Sequence, residues 1–168
     1  MSTQTLLSVE EYLASSYEPD CDYVDGHLEE RNVGRVSHGT LQTRIGSYLL
    51  THFGKDGMVV GSEIRIRVTP TRFRIPDLCL FLTPPDEEVP TKPPFSCIEI
   101  LSPEDRMSRV QIRINEYLAM GVPYVFVLDP QTRQAYVATA AEGLREVKSG
   151  VLRTENPVIE VPLSEVFA

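Results

Sequence analysis

Two apolar runs near the middle of the chain, IPDLCLF and SCIEIL, each carry one acid, Asp77 and Glu99, where a strand buried on both faces normally carries none. A bare carboxylate in such surroundings costs on the order of several kcal/mol unless something cationic offsets it. The second run leads into a helical stretch and then into YVFVLD, a third run without a polar residue before Asp129. A buried strand, a helix of about four turns and another buried strand form a right-handed crossover between parallel strands. We expect an α/β (α+β) fold, with a mixed central sheet flanked by helices.

The flanking segments are legible by the same rules. Ser8 and Glu11 have capping-box spacing, which predicts a short helix from about Val9 to Ser16. CDYVDGHLEERN alternates around Asp25-Gly26 and predicts a hairpin. Leu41, Ile45, Tyr48, Leu49 and Phe53 recur at helical spacing, so a helix with one buried face is expected over Val36 to Phe53. Met58 to Val68 reads as one strand with a charged face, turning at Thr69-Pro70-Thr71 into the strand that holds Asp77. Pro76 lacks a ladder donor, and an irregularity is expected there. Thr83 to Pro94 reads as an exposed loop, and Gln134 to Val147 as a hairpin around Glu142-Gly143. Val110, Ile114, Tyr117 and Leu118 predict the buried stripe of a helix over Arg106 to Met120, closed by Gly121 and Pro123.

With 168 residues, 42% of them hydrophobic, one domain over 1–168 is expected. The net charge of −8 disfavours a general polyanion binder unless the cations are segregated. They are almost all arginine, thirteen against three lysines. Arg65, Arg67, Arg72, Arg74, Arg106, Arg109 and Arg113 are expected around the two acids, and arginine is the better phosphate fork. A solvated, salt-bridged surface is the competing reading of the same charges. Cys79 and Cys97 lie in apolar strands without CxxC spacing, as small core residues of a reducing compartment would. No stretch approaches a membrane span, so a cytoplasmic location without membrane association is expected.

Pro76-Asp77, then Glu99-Ile100-Leu101, then a helix carrying basic residues resemble the PD-(D/E)xK nuclease superfamily. More closely, the chain resembles the small bacterial family Uma-two, described as restriction endonucleases. CDYVDGHL, Ser37-His38-Gly39, Gly61-Ser62-Glu63, IPDLCLF, IEILSPEDR and EYLAMGVPYVFVLDP carry that resemblance over nearly the whole chain. The resemblance implies a restriction-endonuclease-like core and hydrolysis of DNA phosphodiester bonds with Mg²⁺ or Mn²⁺. Asp77 and Glu99 would bind the metal with the Ile100 carbonyl, and Glu63 would be a further or water-mediated ligand. Arg106, Arg109 and Arg113 would contact phosphate, with His38, Gln42 and Tyr117 near the site. Superfamily nucleases often pair to cut both strands, so a homodimer is expected.

The chain departs from the family pattern on the helix. Four residues before Tyr117, where the family carries lysine, it has Arg113. Arginine keeps the charge and can clamp a phosphate, but it cannot serve as a base. Lys55, Lys92 and Lys148 lie in segments with no obvious means of replacing it, and Lys92, in the loop before the Glu99 strand, is the one remote candidate. Catalysis with Arg113 as an electrostatic clamp therefore stands beside two other readings: a non-catalytic nucleic-acid-binding or interaction module, and an acidic scaffold that never meets nucleic acid. Without metal, Asp77 and Glu99 would be strand-end acids capped by arginines such as Arg74 and Arg113.

Overall fold

The computed structural model describes residues 5–168. The capping box at Ser8 and Glu11 starts α1 (Val9–Leu13), where the Glu11 amide donates to Ser8 Oγ at 3.2 Å and the Ser8 amide to Glu11 Oε2 at 2.9 Å. The helix ends three residues earlier than its capping signal suggested, with Ala14 as its C-cap. The hairpin β1 (Cys21–Val24) and β2 (His27–Glu30) turns on Asp25 and Gly26, both with positive φ, as a two-residue hairpin turn demands. Next come α2 (Val36–Phe53), β3 (Val59–Ser62), β4 (Ile66–Thr69), β5 (Arg72–Arg74), β6 (Leu78–Phe81) and β7 (Ser96–Ile100). The rest is α3 (Met107–Met120), β8 (Tyr124–Asp129), β9 (Gln134–Thr139), β10 (Gly143–Glu146), β11 (Val151–Arg153), β12 (Glu160–Pro162) and α4 (Leu163–Val166).

The main sheet has six strands in the order β10-β9-β8-β7-β6-β3, and only β7 and β8 run parallel in it, joined through α3. Successive residues of β6 and β7 point to opposite faces, and each face has its own helix. Leu78, Leu80, Ile98 and Ile100 pack with Leu41, Ile45 and Leu49 of α2. Cys79, Phe81 and Cys97 pack with Val110, Ile114 and Tyr117 of α3. Burying these side chains, at roughly 1.5–3 kcal/mol for each fully buried Val, Leu, Ile or Phe, is the main term holding the layers together.

The sheet is not the only one. β2, β1, β5 and β4 form a second, four-stranded sheet, and β11 pairs with β12 alone. This corrects two readings of the sequence, because Met58 to Val68 and Arg72 to Leu82 are each two strands that change sheet. In the first the break falls at Glu63, whose φ of 54 is left-handed, and a side chain on Gly61 would meet Ile64 Cδ1 at 2.2 Å. In the second the break falls at Pro76, which has no amide to donate to a ladder. Asp77 therefore sits at the seam where the chain passes from one sheet to the other.

Candidate active site

The register Leu78↔Ile98 and Cys79↔Cys97, continued by one step, sets Asp77 opposite Glu99 on neighbouring antiparallel strands. Alternation puts both on the face of Cys79 and Cys97, toward α3. Asp77 is 3% exposed, and its carboxylate is crowded with donors. Oδ1 accepts from Arg31 Nη2 at 2.8 Å and lies 3.1 Å from His38 Nε2, while Oδ2 accepts from the Ile100 amide at 2.7 Å. His38 meets the carboxylate through Nε2. That bond raises the imidazole pKa above its ordinary value, and it leaves His38 Nδ1 buried without a partner. Beneath the carboxylate, the Asp77 carbonyl accepts from Gln42 Nε2 at 2.9 Å and from the Glu63 amide at 3.2 Å.

Glu99 lies deeper against the helix. Its Oε1 accepts from the Tyr117 hydroxyl at 2.6 Å, and Arg113 Nε stands 3.6 Å from the same oxygen, beyond hydrogen-bond reach. Burial raises its pKa to about 7, against the opposing pull of the Arg113 charge; Asp77 adds to the rise and the Tyr117 bond lowers it. Arg113 Nε is itself buried and without a hydrogen-bond partner.

The two acids open on a cavity of about 160 Å³, lined on the α3 side by Arg106, Arg109 and Arg113 and on the hairpin side by Asp22, Glu29, Arg31 and Arg74. The helix stripe thus faces the acids. Other arginines do not, which corrects the expectation that all seven surround them. Arg65 lies over the Tyr12 ring at 4.3 Å, Arg67 donates to the Pro70 carbonyl at 2.7 Å, and Arg72 binds Asp25 and Glu116. They belong to the segment that forms the second sheet and serve its aromatic cluster or its hairpin. Glu63 also stands outside the cavity, its side chain 48% exposed and 3.6 Å from Arg31 Nη1. Tyr117 is fully buried under Glu99 and does not line the cavity, and Lys92 pairs with Asp86 on an exposed loop.

Asp22, Arg31 and Asp105 are among the cavity residues that escaped the reading of the sequence. Asp22, 5% exposed, accepts from Arg74 Nη1 at 3.1 Å and from the Ile75 amide at 3.0 Å, and burial raises its pKa. Its signal was a lone acid between Cys21 and Tyr23, both buried. Arg31 and Asp105 carried none, since each lies in a connection, Arg31 directly after β2 and Asp105 between β7 and α3, and tertiary folding brings them together.

Residues 9–166 match the family Uma2, described as "Putative restriction endonuclease". The chain belongs to the Uma2 family. Among solved structures five chains match. One, the crystal structure of a "putative nuclease belonging to DUF820" from Anabaena variabilis ATCC 29413, superposes with a TM-score of 0.81 at 19% identity, over 96% of this chain and 97% of its own. At that identity the likeness carries the fold alone, a mixed α+β fold shared over almost the whole of both chains. No curated protein matches. Among the described residues no helix is long and apolar enough to cross a membrane.

Restriction-endonuclease-like enzymes generally use divalent metals, and the donors here discriminate among them. No three or more His, Cys, Asp or Glu side chains converge on one point among the described residues, so a zinc-type cage is absent from them. Two carboxylates with room for water suit Mg²⁺ or Mn²⁺, which keep several waters and take one or two protein carboxylates.

Proposed function

We propose that this Uma2 protein is a divalent-metal-dependent endonuclease that hydrolyses DNA phosphodiester bonds. The observation that carries the reading is the pairing of Asp77 and Glu99 across adjacent strands, on one cavity, opposite the arginine stripe of α3. Asp77 and Glu99 would hold the metal, with the Ile100 carbonyl beside them. In extended backbone the amide and carbonyl of one residue leave the strand on the same edge, and the Ile100 amide already points at Asp77. A bound divalent cation supplies a water acidic enough to attack near neutral pH and a counter-charge for the phosphate.

The chain's own residues do the rest. Arg113, held by the charges of Glu99 and Asp105, is placed to clamp the scissile phosphate, and Arg106 and Arg109 extend the cationic track along the helix. The cavity wall still carries seven carboxylates against five guanidiniums, so a polyanion gains little there until the two buried acids are neutralised. The three buried free cysteines agree with a reducing, cytoplasmic setting. A second copy would be needed to cut both strands at once, whereas one site suffices to nick.

Nicking of supercoiled plasmid tests the proposal. The wild type should relax plasmid with Mg²⁺ or Mn²⁺, and chelator or Asp77→Ala should abolish this. Arg113→Lys reports on the replaced lysine, and a gain in rate identifies arginine as the poorer group. The unpartnered Arg113 Nε favours a second reading, a nucleic-acid-binding module without catalysis. Retention of DNA by every variant, with no nicking and no metal requirement, would establish that one instead.

A further inference from the structure

The cavity holds a cation where a nuclease needs a metal. Arg31 follows directly on β2, and its amide is anchored on the Asp20 carbonyl at 3.1 Å. Its side chain, 17% exposed, places Nη2 2.8 Å from Asp77 Oδ1 and Nη1 3.6 Å from Glu63 Oε1. The segment that it begins, Arg31 to Arg35, reaches across to the loop between β7 and α3. There Asn32 Nδ2 donates to Asp105 Oδ1 at 3.2 Å, and Arg35 pairs with Glu104. The hairpin side of the cavity is thus strapped to the helix side, with Arg31 at the inner end and Arg35 at the outer.

Each carboxylate oxygen offers two lone pairs. On Asp77 Oδ1 both are engaged, one by Arg31 and one by His38, and the Ile100 amide takes one on Oδ2. Mg²⁺ or Mn²⁺ binds oxygen directly, at about 2.1 Å, and cannot share Oδ1 with a guanidinium nitrogen that already fills the contact and carries like charge. Arg31 has a second acceptor within reach in Glu63, whose carboxylate is half-exposed and outside the cavity.

We infer that Arg31 is a built-in counter-cation of Asp77, which a divalent metal must displace to take Oδ1 and whose charge opposes it at the remaining lone pair of Oδ2, so that Arg31 lowers the metal affinity of the site and the Arg31 to Arg35 strap loosens when metal takes Oδ1. The inference rests on the reading of Asp77 as a metal ligand. It assigns Arg31 a positioning role, and Glu63 the role of receiving the guanidinium rather than that of a ligand.

Mn²⁺ binding measured by titration calorimetry on the whole chain, without DNA, tests it. Arg31→Met should bind Mn²⁺ about tenfold tighter than wild type or better. Arg31→Lys, which keeps the charge, should stay close to wild type, and Asp77→Asn added to Arg31→Met should remove the gain. Unchanged or weaker binding by a folded Arg31→Met, or a gain that survives Asp77→Asn, overturns the inference. If Arg31→Met does not fold, Arg35→Ala reads the same device from its exposed end: tighter Mn²⁺ binding supports the strap and unchanged binding refutes it. Because no DNA is present, the outcome is separable from the nuclease reading. An Arg31→Met gain without nicking refutes only the nuclease, and nicking without the gain refutes only the counter-cation.

Discussion

The Tyr117 hydroxyl donates to Glu99 Oε1 at 2.6 Å, both groups being buried between β7 and α3. A carboxylate that accepts this bond in place of water keeps some of its charged character, and the bond lowers the Glu99 pKa against the larger effect of burial. Tyr117→Phe should therefore cost about 1–2 kcal/mol in urea denaturation, the penalty for an acceptor left buried. It should also move the Glu99 titration upward, as read by carboxyl-carbon NMR. A variant that loses stability while Glu99 titrates unchanged would show that the phenol only fills space.

Glu99 gives the fold a pH dependence of defined sign. Its folded pKa of about 7 lies above the ordinary 4.5, so from pH 4.5 to 7 the folded state holds a proton that the unfolded state has released. The stabilising contribution is complete below 4.5 and is lost as pH rises through 7. About 2.5 pH units at 1.36 kcal/mol each come to roughly 3 kcal/mol. His38 and Asp22, both with raised pKa values, act in the same direction. Melting followed by circular dichroism in chelator should thus give a lower midpoint at pH 8 than at pH 5.5. Glu99→Gln should flatten that slope, and an equal slope in the variant would place the titration elsewhere.

Arg113 acts on Glu99 by charge and not by a hydrogen bond, since Nε stands 3.6 Å away. It is the largest influence holding the Glu99 pKa down against burial. Arg113→Met should consequently raise the Glu99 titration above 7, whereas Arg113→Lys should leave it within about half a unit, a compact ammonium supplying the same charge. Carboxyl-carbon NMR on the two variants distinguishes this from a packing role, for which methionine would be the better substitute and the titration would stay in place.

Periodicity and punctuation made the chain's elements readable, but of the seam between its sheets they showed only the irregularity at Pro76. The hairpin at Asp25-Gly26, α2, and the parallel pair β7 and β8 around α3 each follow from local rules that tertiary context does not override. Glu63 gave no such warning, because a non-glycine residue with positive φ looks in sequence like any strand residue, and the break it makes sends β4 to another sheet. The same holds at the cavity. Asp77 and Glu99 stand out as acids in apolar runs, and Arg106, Arg109 and Arg113 as a helical stripe. Arg31 meets Asp77 from 46 positions away, and no spacing rule connects them.

The most deeply buried cation tests how far the hairpin depends on the helix. Arg74, 3% exposed, gives Nη1 to Asp22 at 3.1 Å and to Glu29 at 2.7 Å, and Nε to Glu116 of α3 at 2.5 Å. It thereby joins β1, β2, β5 and α3 through one guanidinium. Arg74→Met keeps much of the volume, leaves Asp22 without its counter-charge and leaves Glu116 to Arg72 alone, a change that costs about 3–5 kcal/mol where a buried ion pair is broken. Asp22 already has a raised pKa, and without Arg74 it should rise further, so at low pH the acid can take a proton and escape part of that cost. Urea denaturation should accordingly show a larger deficit for Arg74→Met at pH 8 than at pH 5. A deficit that does not change with pH would mean that Arg74 contributes by packing alone.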